Sequence, residues 1–245
     1  IRIFNLIKQL SVHHDVTLLC YFNESQRPLF KDLSSYCRLV LVPEKSYRRH
    51  WIYHLSYLMS PLPYSLVMVD KGFRYRIQEV IAKGADIVQF EFLSLAHYHG
   101  CIPSTVRKVA AVHYLATESR RRLMQFWPAG IRKFYYWMEI RKIHQYERAV
   151  LGHFDLCLVT SESHRYLLKQ WEVSTPIQVM PNGVDTDYFR SEPIRNTHGG
   201  RIAYMGAFHL EPANIDGFQY LVDEIFPYIR MRAPGVQLDV IGNGL

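Results

Sequence analysis

A chain of 245 residues, 49% hydrophobic and 21% charged, is long and apolar enough for one large core-forming domain or two ordinary ones, which excludes a disordered or fibrous polypeptide. Its 29 Lys and Arg against 22 Asp and Glu give a formal charge of +7, so anionic partners fit its sign: phosphorylated small molecules, acidic lipid headgroups or nucleic acid. Four widely spaced cysteines (Cys20, Cys37, Cys101, Cys157) with no Cys-x-x-Cys pair describe a reduced, cytosolic protein without a cysteine metal site, and the scattered histidines, tight only at His13-His14 and His97-x-His99, mark no metal site either.

The chain opens on Ile3, Leu6, Ile7 and Leu10 at helical spacing, followed at once by an apolar strand over 16–22. Further strands are expected at 38–42, 86–90, 106–112, 154–160, 177–180, 201–205 and 236–241. Between them lie an amphipathic helix marked by Phe73, Ile77, Val80 and Ile81, a long helix over 131–151, and a helix over 162–171 with Ser161 as N-cap. Strands that are apolar almost throughout, such as Leu156-Cys157-Leu158-Val159, suit a parallel sheet covered on both faces, and the alternation of strands and helices predicts a doubly wound α/β fold. The opening helix with no strand before it, and the closing strand that runs into Gly242 and Gly244, make both ends expected truncations of a longer protein.

Residues 51–69 carry no Asp, Glu, Lys or Arg, which approaches the length of a membrane span, but Pro61, Pro63 and His54 interrupt them. A helix over 46–59, with Trp51, Tyr53 and Tyr57 beside Arg48-Arg49, suits either a membrane interface or a domain-edge packing position. Further on, Pro181-Asn182-Gly183-Val184-Asp185 follows the strand at 177–180. Asn182 and Gly183 tolerate positive φ, so a tight turn is expected there. The polar stretch over 190–200 reads as a linker, and Phe218, Leu221, Val222, Ile225 and Ile229 mark one helical face of a fresh strand–helix–strand unit. The expected organisation is a first domain over 1–190, a linker over 191–200 and the start of a second domain over 201–245.

His113 ends the strand at 106–112, at the carboxyl edge where open parallel sheets present ligand-contacting groups, and Arg120-Arg121-Arg122 follow shortly after. A histidine there can hydrogen-bond a sugar hydroxyl or a phosphate oxygen, although an edge histidine that is merely solvated would look the same. In order come His113, Glu147 eight residues before Asp155, Ser161, the 181–185 motif, a strand ending at Gly206, Asn214-Ile215-Asp216-Gly217, and Ile241-Gly242-Asn243-Gly244. This order resembles the family-four retaining glycosyltransferases of the GT-B fold, in particular the exopolysaccharide-type branch. The likeness spans essentially the whole chain through several motifs, none sufficient alone.

The resemblance implies two Rossmann-like domains facing across a cleft, the acceptor-side one over 1–190 and the donor-binding one begun at 201–245. It implies transfer of a sugar from a nucleotide-diphosphate donor to a glycan or lipid-linked acceptor with retention, with no metal and no cofactor beyond that co-substrate. His113 matches the histidine near the reacting sugar. Gly206, Ala207, Gly242 and Gly244 match donor-binding positions, with backbone N–H groups beyond Gly206 approaching the diphosphate. Asn182, Gly183 and Asp185 would order the crossing between domains, Arg120 and Arg141 would serve acceptor or phosphate groups, and Glu147 and Asp155 are structural. A cytoplasmic location with peripheral contact to an anionic membrane is the corresponding expectation. Many relatives carry an arginine directly after the strand glycine and a lysine near the helix start. Ala207 and the residues around Asn214 stand there instead, so the diphosphate must be neutralised otherwise. With the acceptor loop before Ile1 and the paired donor-site glutamates beyond Leu245, the 245-residue chain is not expected to turn over alone.

A nicotinamide or flavin oxidoreductase would need Gly-x-Gly-x-x-Gly after its first strand, and no such run exists here. Nucleic-acid binding is suggested by the charge and by Arg132-Lys133-Phe134-Tyr135-Tyr136-Trp137. On a helix, however, those aromatics are expected to pack and the charges to face water, so no nucleic-acid partner is expected. A sugar- or nucleotide-binding protein of the same fold without the chemistry is the remaining alternative.

Overall fold

The computed structural model describes residues 2–44, 70–125, 128–190, 200–208 and 212–243. The chain divides into two compact units, Ile1–Gly183 and Val184–Leu245, so the boundary falls inside the 181–185 motif.

In the first unit, α1 (Arg2–Leu10) leads into β1 (Thr17–Phe22), which pairs in parallel with β2 (Arg38–Pro43) from Thr17↔Arg38 to Phe22↔Pro43. A second parallel sheet has the order β3-β4-β5-β6, from β3 (Ile87–Phe90), β4 (Arg107–Val112), β5 (Leu156–Val159) and β6 (Ile177–Val179). Parallel neighbours need long crossovers. These are a 3-10 segment, Leu93–Cys101, between β3 and β4; α3 (Ala116–Gln125) and α4 (Ile131–Leu151) between β4 and β5; and α5 (Glu162–Gln170) between β5 and β6. Before β3, α2 (Lys71–Ala82) packs through Phe73 and Ile77. Consecutive residues Ala110, Ala111 and Val112 are all buried, as both faces of a covered parallel strand must be. This is a Rossmann-like α/β architecture, and the expected strands lie within two residues of the observed ones.

One core serves both sheets. Phe73, Phe90, Tyr98, Phe154, Leu168 and Trp171 form it together with Val42 of β2, and Leu19 and Tyr21 of β1 pack against it. Tyr21 stacks on Phe73 with ring centroids 4.2 Å apart, while its hydroxyl lies 3.0 Å from that of Tyr98. Local signals set the helix starts: Ser161 accepts from His164 N at 3.2 Å and Asp70 from Gly72 N at 2.7 Å, caps worth about 1 kcal/mol each. All four cysteines are free, and burial pushes the Cys20 thiol to about 11 and that of Cys157 to about 12, so they act as small hydrophobes.

In the second unit, β7 (Arg201–Ala207) and β8 (Gln237–Asn243) pair in parallel, from Arg201↔Gln237 to Ala207↔Asn243. The connection is one continuous helix: α6 (Pro212–Tyr220), a π turn (Leu221–Ile225) and α7 (Phe226–Arg232). Phe208 is buried against the rings of Tyr204 and Phe218, and Arg201 grips Asp239 with two hydrogen bonds of 2.9 and 2.8 Å. Val222 and Ile225 of the expected helical face remain exposed, because a two-stranded sheet is too narrow to cover it.

Three local expectations are corrected. Asn182 and Gly183 do not adopt positive φ, and Pro181–Asp185 contains no turn. The Asn182 side chain is engaged by Arg2 of α1, whose guanidinium also donates to Met180 O at 3.1 Å, so it is not free to support a local turn. The bend comes instead at 186–188, where the Asp185 carboxylate accepts from Asp187 N at 3.1 Å and Tyr188 N at 3.0 Å, and its carbonyl from Phe189 N at 2.9 Å. Second, the aromatics of 132–137 do not all pack: Phe134 and Trp137 are 58% and 42% exposed, because they lie on the side of α4 away from its buried residues Glu139, Ile140, Ile143 and Glu147, while Tyr135 is half-buried. Third, Gly206 does not end its strand; β7 continues through Ala207. The 46–59 helix, the 191–199 part of the linker and Gly244 lie outside the described residues.

Candidate active site

The carboxyl ends of β3, β4 and β5 converge on one spot. Because Phe90 is in register with Ala110, the residues leaving β3 and β4 emerge at the same edge: Glu91 and Phe92 from one, His113 from the other. His113 Nε2 lies 2.8 Å from Glu91 Oε2, both side chains are only 17% exposed, and the Phe92 ring sits 5.1 Å from the imidazole. From the end of β5, the Thr160 hydroxyl donates to the His113 carbonyl at 3.5 Å. The imidazole is thus held by an acidic partner and an aromatic wall from a neighbouring strand, which is more order than a solvated edge histidine requires.

A cleft of about 170 Å³ opens beside His113. Phe92, Leu93 and Ser94 form one wall, Ala116 and Arg120 of α3 a second, and Ile143, Tyr146 and Glu147 of α4 a third. Whole small-molecule pockets run to ~300–1,000 Å³, so this space has room for part of such a ligand. Tyr146 donates its hydroxyl to Leu93 O at 2.8 Å, and burial drives its phenol well above the ordinary range, so it stays protonated.

Glu147 is buried and caps α3. Its carboxylate accepts from Ala116 N at 2.7 Å, Thr117 N at 3.3 Å and Thr117 Oγ1 at 2.6 Å. Burial raises its pKa, against these three hydrogen bonds, which favour the carboxylate. A helix N-terminus commonly binds anions, but this carboxylate already occupies that of α3, so substrate phosphate has no place there. Asp155 works at the opposite, amino edge, accepting from Lys108 N at 2.8 Å and Arg107 at 3.0 Å, and those bonds hold its carboxyl below the usual range. Both acids have structural partners.

The other expected site residues are distributed as follows. Arg120 lines the cleft, and its guanidinium, 37% exposed, also donates to buried Glu139 at 3.1 Å, which offsets part of its charge. Arg141 lies instead on the outer face of α4, its guanidinium 4.7 Å above the Trp137 ring, and does not line the cleft. Asn182 and Gly183 close the first unit, and Asp185 is the second residue of the other, which opens at Val184. In the second unit Gly206 pairs with Gly242 across β7 and β8. Gly242 has φ +154°, and a Cβ there would stand 1.8 Å from Gly206 O, so only glycine permits the pairing. A Cβ on Gly206 would meet ordinary contacts at 3.4 Å and beyond. Ala207 O accepts from Asn214 Nδ2 at 3.2 Å, and Phe208 N–H donates to Asn243 O at 3.0 Å. That first N–H beyond Ala207 is therefore committed to β8 and not offered to a ligand.

Glu91 is the residue the sequence should have yielded and did not. It follows the strand at 86–90 as His113 follows that at 106–112, and the carboxyl-edge rule applies equally to both. Among the described residues no group of three or more His, Cys, Asp or Glu could hold a metal ion, and no helix is long and apolar enough to cross a membrane.

A Rossmann-like domain with a cleft at the carboxyl edge of its parallel sheet, apolar for the most part but carrying His113, Arg120 and Glu147, has the build of a small-molecule-binding protein. Residues 1–188 match the family model described as Glycosyltransferase Family 4. The chain belongs to that family, and its activity class is glycosyl transfer. None of the curated proteins compared matches it.

Proposed function

We propose that the protein transfers a sugar from a nucleotide-diphosphate donor to a hydroxyl of a glycan or lipid-linked acceptor, with retention of anomeric configuration. The observation that carries this is the His113–Glu91 pair beside a cleft large enough for one sugar end and lined by Arg120. With Nε2–H donating to Glu91, the other ring nitrogen is left as a hydrogen-bond acceptor for a substrate hydroxyl. The bond from the sugar's anomeric carbon to the diphosphate oxygen breaks, and the bond to the acceptor oxygen forms on the same face. The acceptor proton passes to the departing phosphate oxygen. The protein's share is orientation and charge stabilisation. Gly206, Ala207 and Gly242 belong to the donor side in this proposal, and Asn182, Gly183 and Asp185 to the passage between units. The test is product analysis with the intact enzyme and a panel of nucleotide-diphosphate sugars. Proton NMR of the product should show the donor's anomeric configuration preserved; an inverted product refutes the retaining assignment.

A further inference from the structure

Three groups around the cleft are of kinds that can bind anions: the Arg120 guanidinium, the His113 imidazole and the N-terminus of α3. Each already holds a carboxylate of the protein itself. Arg120 donates to Glu139 at 3.1 Å, His113 Nε2 lies 2.8 Å from Glu91 Oε2, and Glu147 accepts from the N–H groups of Ala116 and Thr117 at 2.7 and 3.3 Å. Glu139 and Glu147 are buried and Glu91 is nearly so, so water screens their charge poorly. Among the described residues that line the cleft, Arg120 is the only lysine or arginine. At this edge a chain of formal charge +7 therefore presents one guanidinium with three acids directly behind the lining groups. A phosphate or carboxylate entering here would leave its hydration shell and find no cation without a carboxylate partner.

The remaining lining suits a neutral ligand. Phe92 leaves β3 and Tyr114 follows His113 at the end of β4, and both are exposed aromatic rings on the cleft wall. Leu93 and Ile143 add apolar surface. A pyranose has a face of C–H bonds that lies well against an aromatic ring, and a rim of hydroxyls that each donate and accept. Ser94 and Tyr114 carry hydroxyls, His113 has its second ring nitrogen, and Arg120 has N–H groups beyond the one that Glu139 takes. A guanidinium already neutralised by Glu139 still donates, so it can serve a sugar hydroxyl without requiring a negative charge in return.

We infer that the cleft selects an uncharged pyranose ring, seated against Phe92 and Tyr114, and rejects groups that bear phosphate or carboxylate. That this ring is the acceptor rests on the glycosyl-transfer proposal; the selection itself does not. The attacking group is then a hydroxyl of a neutral sugar, and a bare lipid phosphate or a uronic acid is excluded from the position beside His113. Glu139 sets this preference through Arg120 and is a positioning residue.

The test is saturation-transfer NMR on the 245-residue chain, with the methyl glycosides of glucose, galactose and mannose set against their uronides and their 6-phosphates. At least one neutral glycoside should bind, and its charged counterparts about fivefold more weakly or worse. Tyr114→Ser, at a position 55% exposed, should weaken the neutral glycoside about threefold with the melting curve unmoved. Glu139→Gln keeps the size and releases the charge of Arg120, so the gap between glycoside and uronide should narrow. If that buried replacement fails to fold, Arg120→Gln should widen the gap instead. A uronide or phosphate bound as tightly as its neutral counterpart overturns the inference. So does the absence of any bound glycoside, indifference to Tyr114→Ser, or a gap that neither charge variant moves. Binding is measured without donor, so a preference for charged sugars leaves glycosyl transfer standing. Failed transfer with neutral glycosides still bound removes the acceptor role and leaves the selection intact.

Discussion

Glu91→Gln isolates the charge of the residue that holds His113. The replacement keeps size and leaves an amide oxygen able to accept from Nε2, so what disappears is the negative charge 2.8 Å from the imidazole. A hydrogen bond to a charged group contributes about 1.5–3 kcal/mol and a neutral one about 1 kcal/mol. With both groups only 17% exposed, most of that difference survives solvent screening, leaving about 1–2 kcal/mol. If the charge acts during turnover, kcat should fall about 5–30-fold at saturating donor, with little change in KM for the acceptor. Steady-state kinetics on the intact enzyme measure this, and a double-mutant cycle with His113→Ala locates the effect. Once His113 is gone, Glu91→Gln should cost less than about twofold. A kcat unchanged in the single variant, or losses that add in full in the double variant, would refute the claim that Glu91 acts through His113.

Gly242→Ala should destabilise the second unit by about 3 kcal/mol or more, since its Cβ would fall 1.8 Å from Gly206 O at a φ that side chains avoid. Gly206→Ala should be tolerated, and denaturant titration compares the two. Acid should weaken the first unit through His97, His99 and His144, whose pKa values burial lowers first of all. Nε2 of His97 is buried without a hydrogen-bond partner, and His99 stacks on His153 at 4.1 Å, so protonation charges groups that the fold holds neutral. A base with a depressed folded pKa costs nothing above its unfolded value near 6.5, and stability falls as pH drops through that value toward the folded one. Urea midpoints measured from neutral pH downward should decline accordingly, and His97→Gln should flatten the decline; parallel profiles would contradict the assignment.

The architecture was legible because each strand of the parallel sheets is a short apolar run, and the helix after Ser161 carries its own start signal. Local turn chemistry was less so. Asn182-Gly183 has the composition of a tight turn, but a partner 180 residues away, Arg2, takes the Asn182 side chain, and no local pattern reports that contact. The aromatics of α4 were misplaced for a related reason. Helical periodicity says which residues share a face, yet not which face the fold covers when aromatic and charged residues are mixed around the helix. At the site, His113 could be read from its place after a strand. Its pairing with Glu91 depends on the register of β3 against β4, which only the folded sheet supplies. The roles of Arg120 and Arg141 separated on the same ground: both are basic and helical, but one faces the cleft and the other a tryptophan.

The central claim is that the cleft at the carboxyl edge of β4 performs glycosyl transfer with His113 at its heart. It is tested most directly by sugar transfer from a labelled nucleotide-diphosphate donor, comparing the intact wild-type enzyme with His113→Ala while following their melting temperatures together. Turnover should drop about 100-fold or more, the loss expected when a positioned hydrogen-bonding group is removed from the reacting centre, with the melting temperature nearly unmoved. Equal turnover in the two proteins, or a loss of activity that only tracks a loss of stability, would reduce His113 to a packing residue and contradict the account.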